Sequence, residues 1–244
     1  MLPACFWVSG IIFLKSGVII TMSKVIFWDV DTQYDFMMEA GDLYVQDAES
    51  IIPNLEKLTQ YARTHSIPIF GSVDEHTEEN AEISDEADFL DTFPPHCMKG
   101  TPGQEKIDAT KPRNPLWIES REYDESELAQ LVKEHDGEII FTKQRFDVFS
   151  NPNVDAVLDI VKPEHIVVYG VALDVCNAYA IEGFLKCGRY KISLVKDATK
   201  PINPDRGKEL IEKWKSKGVQ ILTTEEIIGK LKRRWKLGGR NYPP

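Results

Sequence analysis

Four short stretches of this chain end in side chains that can do chemistry. His165–Ala180 (HIVVYGVALDVCNAYA) carries a buried-strand run up to Tyr169, a small residue at Gly170, and then Asp174, a residue suited to cap a helix, two places before Cys176. Cys176 therefore falls in the first turn of a helix, just beyond the carboxyl end of a strand. Unpaired N–H groups and the positive end of the helix dipole stabilise a thiolate there. The same position also suits a small packing residue. Three further apolar runs end likewise: VIFWDV at Asp31, the run from Ile67 to Val73 at Asp74-Glu-His76, and the run from Glu138 to Thr142 at Lys143. Asp31 alone reads as a loop cap and Lys143 alone as a solvated rim charge. Together they deliver an acid, an acid/imidazole pair, an ammonium and a thiol to one rim. The chemistry this set can perform is acyl transfer without a histidine base. Cys176 attacks, Asp31 takes its proton and returns it to the leaving group, and Lys143 favours the thiolate and orients the carboxylate. N–H groups around Ala172 and Cys176 are placed to receive an oxyanion.

The elements that must position these residues are strands alternating with helices. Helical spacing is read at residues 48–64, 126–133, 154–160, behind Cys176, at 204–215 and from Thr224; strands at 25–30, 67–73, 138–142, 166–169, 192–195 and 219–222. This is an α/β chain. A six-stranded, mainly parallel sheet in a three-layer α/β/α sandwich with Rossmann-like order 3-2-1-4-5-6 is expected, and ligands of such sheets bind beyond the carboxyl ends of the strands. Residues 74 to about 123 form a long connection, rich in acid and then in proline and glycine; loops of that length in compact domains are usually functional or disordered.

Composition narrows the function classes. Of 244 residues, 42% are hydrophobic and 28% charged, ordinary values for one globular domain. A net charge of −10 argues against nucleic acid as a partner. Four scattered cysteines (Cys5, Cys97, Cys176, Cys187) without a C-x-x-C pair suit a reducing cytoplasm. Residues 1–22 are apolar but have their single charge at Lys15, in the middle, so they match neither a signal peptide nor a membrane span; Met22 reads as the working start and the leader as an upstream extension, with a membrane anchor the lesser reading. The expected domain runs from 23 to 233, followed by a basic tail, 234–244.

The residues Val30-Asp31-Thr-Gln33-Tyr-Asp35-Phe36, Lys143 after IIFT, and Gly170-Val-Ala-Leu-Asp174-Val-Cys176 resemble the three signatures of the isochorismatase-like cysteine hydrolases, in order and spacing, over about residues 24–226. The resemblance implies an Asp31–Lys143–Cys176 triad and a cis peptide before Ala172, with the N–H groups of Ala172 and Cys176 as the oxyanion hole. Asp74-Glu-His76 and Pro94-Pro95-His96-Cys97-Met-Lys-Gly100-Thr-Pro-Gly103 further resemble the nicotinamidase branch, and imply a divalent metal, Zn²⁺ or else Mn²⁺ or Fe²⁺, on Asp74, His76 and His96. A further histidine is usual between the two motifs; an ungapped reading puts Glu82 there, with Asp85, water or loss of the metal as the alternatives. Phe36 and Phe93 match an aromatic sandwich for a flat ring, and read on their own they are equally two core phenylalanines. The activity implied is hydrolysis of a small-molecule amide, nicotinamide or a close pyridine carboxamide, to acid and ammonia, by a homo-oligomer. A sibling amidase acting on another amide or carbamoyl group, and a non-catalytic binding protein of the same fold, are the rival readings.

Overall fold

The computed structural model describes residues 25–89 and 92–237. The leader expected at 1–22 lies outside the described residues, as does the expected tail beyond Leu237. Chain order gives β1 (Val25–Val30), a one-turn α1 (Tyr34–Met37), α2 (Ile52–Thr64), β2 (Ile69–Asp74), β3 (Leu116–Ile118), α3 (Glu125–Glu134), β4 (Ile139–Lys143), α4 (Val154–Val161), β5 (His165–Val171), α5 (Cys176–Cys187), β6 (Lys191–Lys200), α6 (Pro204–Ser216), β7 (Gln220–Leu222) and α7 (Thr224–Leu237). The last helix thus takes in the first residues of the expected tail. None of the described helices is long and apolar enough to cross a membrane.

The strands form one sheet in the order β3-β4-β2-β1-β5-β6-β7, and every pairing is parallel. This corrects the expected count of six to seven. The added strand, β3, lies inside the long connection and pairs outside β4 through three residues, Leu116–Ile118 with Ile139–Phe141. Without it the remaining six keep the expected 3-2-1-4-5-6 order.

β1 is central and buried on both faces, so its side chains fill two cores. Phe27 packs with Tyr61 of α2, while Trp28 meets Phe70, Phe141 and Phe184 at ring separations of 5.9, 5.5 and 4.9 Å. α2 and α7 cover the first face, and α3, α4, α5 and α6 the second. Burial of these aromatics is the main force holding the helices to the sheet. One acid interrupts the β1 run. Asp29, buried, is met by Lys106 at 3.0 Å and by the Thr32 hydroxyl at 2.9 Å, so the charge is paired rather than stranded.

Gly170 fixes the approach of β5 to β1. Its φ is +111°, and a Cβ there would stand 2.0 Å from the Val30 carbonyl oxygen. No side chain fits, and the close approach aligns the ends of the two strands that carry Asp31 and Cys176.

Candidate active site

The ends of β4, β1 and β5, with β2 between the first two, bring the chemistry together. Asp31 follows β1 with φ +45°, Lys143 closes β4, and Cys176 opens α5. Lys143 Nζ lies 2.9 Å from Asp31 Oδ2 and 3.8 Å from Cys176 Sγ, and it also pairs with Asp74 at the end of β2. All are buried; Asp31 and Lys143 have no exposed surface and Cys176 is 7% exposed.

The electrostatics follow from this packing. Burial works against the Lys143 charge, but Asp31 and Asp74 outweigh it and hold the ammonium well above its ordinary pKa. Burial pushes the Cys176 thiol well up, Lys143 opposes that rise, and the two carboxylates add to it. Burial thus works against the thiolate that the helix-end position alone suggested. Burial likewise raises Asp74, against Lys143, to about 7.

The turn before Cys176 differs from expectation in one respect. Asp174 does not cap α5: its carboxylate accepts from the N–H groups of Ile202 and Asn203, at 2.7 and 2.8 Å, and ties down the loop before α6. Val175 takes the cap position without a side-chain bond, so no side chain caps the first turn of α5. The Val171–Ala172 peptide is cis. The Ala172 carbonyl accepts from Val175 and Asn177, and the Asn177 amide reaches back to the Gly170 carbonyl at 2.7 Å, which closes the turn.

Beside the thiol lies a second group. His76 pairs with the 97–99 segment, its N–H donating to the Cys97 carbonyl and its own carbonyl accepting from Lys99. That segment is anchored in turn by the Cys97 N–H donating to Asp35 at 2.6 Å. The arrangement brings His96 against His76, with ring centres 4.6 Å apart. Donor atoms of Asp74, His76 and His96 all lie within 4.8 Å of one another. Burial first, then His96 and Lys143, lowers His76 to about 3; burial also lowers His96. Both imidazoles are neutral and can donate a lone pair. His96 Nδ1 is engaged by the Pro94 carbonyl at 2.8 Å, which leaves Nε2 for a metal. His76 has no hydrogen-bond partner of ordinary geometry on either ring nitrogen, Asn80 giving only a weak contact. Buried, unsatisfied and neutral nitrogens beside a carboxylate fit a divalent ion with N/O preference.

Glu82 is buried too, and its Oε2 has no hydrogen-bond partner, but it is not part of the compact three-residue donor group. Phe36 and Phe93 flank the same imidazole, at 5.5 and 6.3 Å from the His96 ring centre. Sequence reasoning missed what lies behind Phe93: Phe146 at 5.3 Å and, stacked on it at 6.2 Å, the half-exposed Tyr179 of α5. Tyr179 stands three residues after Cys176, which places it one helical turn above the thiol; that spacing was the available signal. A cavity of about 340 Å³ opens alongside, between Glu75, Thr77, Asn80 and Gln144, and stops short of Cys176.

A three-layer α/β sandwich with thiol, ammonium and carboxylate at the carboxyl rim of a parallel sheet defines a class, the cysteine hydrolases built on such a sheet. Residues 25–226 match the isochorismatase domain, and the chain belongs to that family. Among similar proteins, one described as a probable inactive nicotinamidase from Arabidopsis thaliana is 23% identical over 81% of this chain and 91% of its own length. Pyrazinamidase of Pyrococcus horikoshii in complex with zinc has a TM-score of 0.63 at 23% identity, over 82% of this chain and 99% of that one. N-carbamoylsarcosine amidase from Thermoplasma acidophilum has a TM-score of 0.61 at 20% identity, over 83% and 97%.

Proposed function

We propose that the protein is a metal-dependent cysteine amidase that hydrolyses nicotinamide, or a close pyridine carboxamide, to the acid and ammonia. The observation that carries this reading is the position of Lys143, in contact at once with Asp31, Cys176 and Asp74. One ammonium joins a nucleophile and its base to a metal-ligand group.

The steps follow from the residues. Asp31 accepts the Cys176 proton as sulfur attacks the amide carbonyl carbon, and the oxyanion is received by the N–H groups of Ala172 and Cys176. Asp31 then protonates the nitrogen, the C–N bond breaks and ammonia leaves a thioester. Water adds to the thioester, its proton passes to Asp31, and the acid departs with the thiol restored. Lys143 holds the Asp31 carboxylate oriented through the cycle and offsets the charge as it moves to sulfur. Asp74, His76 and His96 would hold the ion, with Glu82 as a further oxygen donor; when bound it supplies a Lewis acid that orients a ring nitrogen and its carboxamide. Phe36 and Phe93, with Phe146 behind, supply apolar faces for a flat ring. The Arabidopsis protein is described as probably inactive; what supports turnover here is that Asp31, Lys143 and Cys176 are all present, with Lys143 in contact with the other two. A cytoplasmic small-molecule enzyme, assembled as a homo-oligomer, is the setting this reading implies.

Glu82 favours a second reading, an amidase for another amide or a carbamoyl group. A carboxylate where the nicotinamidase pattern has a histidine alters the metal's ligand field and the space beside it. The test is ammonia release from a panel of nicotinamide, pyrazinamide and N-carbamoyl amino acids, with and without chelator. Release from the pyridine and pyrazine carboxamides, lost with chelator, supports the first reading. Release from carbamoyl compounds alone supports the second, and no release from any member retires both in favour of a binding protein that retains the fold.

A further inference from the structure

The opposite edge of the sheet carries a second recess. A cavity of about 250 Å³ lies between the first residues of β5, β6 and β7 (His165, Lys191 and Gln220) and one face of α7, formed by Ile227, Lys230, Leu231 and Arg234. β5 spans the sheet between this recess and the Cys176 turn, roughly 20 Å at 3.3 Å per residue. None of these residues takes part in the candidate active site.

Three cations face this one cavity in a chain whose net charge is −10. Lys230 and Arg234 sit four residues apart on α7 and so share a face. Lys230 is steadied by the Gln220 side-chain carbonyl at 3.4 Å, and Arg234 by Glu164 at 3.3 Å, an exposed pair that leaves both groups in solvent. His165, 3% exposed, is fixed by a 2.8 Å bond between Nε2 and the Ser193 hydroxyl. Its imidazole registers the local field: burial first, then Lys191, Arg234 and Lys230, draw it down to about 4. Gathering like charges in a concave site is unfavourable, and an anion bound among them reverses the sign of that interaction. The volume lies below the roughly 300–1,000 Å³ of drug-sized pockets, and Ile227 and Leu231 add an apolar wall.

We propose that the recess of Lys191, Lys230 and Arg234 binds a small anion through a phosphate group. The phosphate oxygens take donors from Lys191, Lys230 and the Arg234 guanidinium, and an attached organic part lies against Ile227 and Leu231. The site is independent of the amidase reading.

The experiment measures binding of inorganic phosphate, pyrophosphate and a nucleoside diphosphate to the full chain by calorimetry, against sodium chloride at matched ionic strength. The comparison protein is the Lys191→Gln/Lys230→Gln double variant, whose fold is checked by circular dichroism. Saturable binding of pyrophosphate, weakened at least tenfold in the variant, is the expected result. Tighter binding of the nucleoside diphosphate identifies the apolar wall as part of the site; equal binding identifies the phosphates alone. The His165 imidazole, followed by NMR, should titrate at higher pH with the anion bound. No saturable binding above the chloride control, or binding unchanged in the variant, overturns the proposal.

Discussion

The side-chain amide of Gln33 is bonded at both ends to the backbone of Asp74. The Asp74 N–H donates to Gln33 Oε1 at 2.7 Å, and Gln33 Nε2 donates to the Asp74 carbonyl at 2.7 Å. Gln33 thereby acts as one more residue of strand pairing just beyond the end of β1, and it fixes the backbone from which the Asp74 carboxylate reaches Lys143 and the two histidines. Gln33→Leu, close in size but without the amide, should lower metal affinity by about 10–100-fold, the usual effect of losing a group that orients a ligand. Metal titration of the chelated protein measures this, and unchanged affinity would mean that Asp74 is positioned without Gln33.

Lys106 and Asp29 are the buried ion pair beneath the site. Lys106→Met leaves the Asp29 carboxylate paired only by Thr32 and should cost about 3–5 kcal/mol, the range for a buried charge stripped of its partner. Denaturant unfolding of the two proteins side by side gives the difference. The double change Asp29→Asn/Lys106→Met should recover part of the loss, because no naked charge remains.

His165 contributes a loss of stability on acidification over a defined window. Its folded value of about 4 lies below the ordinary 6.5, so the unfolded chain binds the proton first. Between those values the unfolded state holds more protons, and unfolding becomes easier as pH drops from about 6.5 toward 4. His165→Gln removes this one contribution, so its stability should decline less steeply than wild type over that range. Parallel curves would show that His165 titrates normally in the folded protein.

Phe93 and Phe146 are edge-to-face at 5.3 Å, and Phe93 in turn faces the His96 ring. Phe146→Ala removes the support behind Phe93 without touching Asp31, Lys143 or Cys176. Catalysis of a flat aromatic amide should then lose kcat/KM chiefly through a raised KM, on the order of tenfold for an interaction worth ~1.4 kcal/mol. A loss confined to kcat would place Phe146 in the chemistry rather than in holding the ring.

Much of this was legible because strand ends and chemistry coincide. Apolar runs ending in Asp31, Asp74, Lys143 and Cys176 both located the strands and named the rim, and a parallel sheet then had to bring them together. β3 was not legible, since Leu116–Ile118 is three residues in a long connection and its edge position needs no strong apolar pattern. Asp174 misled because a capping residue two places before a helix looks the same whether it bonds its own helix or, as here, the distant backbone of Ile202 and Asn203. Lys106 was unreadable from its own surroundings, as lysines are mostly exposed. Asp29 was the clue: an acid inside the buried run VIFWDV demands a partner from elsewhere.

The most direct test is the rate of ammonia release from nicotinamide by the wild-type protein and Cys176→Ala, both loaded with the same divalent metal. The account predicts turnover by the wild type and a fall of at least about 10³-fold in the variant, the scale on which loss of a nucleophile acts, with fold and metal content preserved. Equal rates for the two proteins, or no release by the wild type, would contradict it.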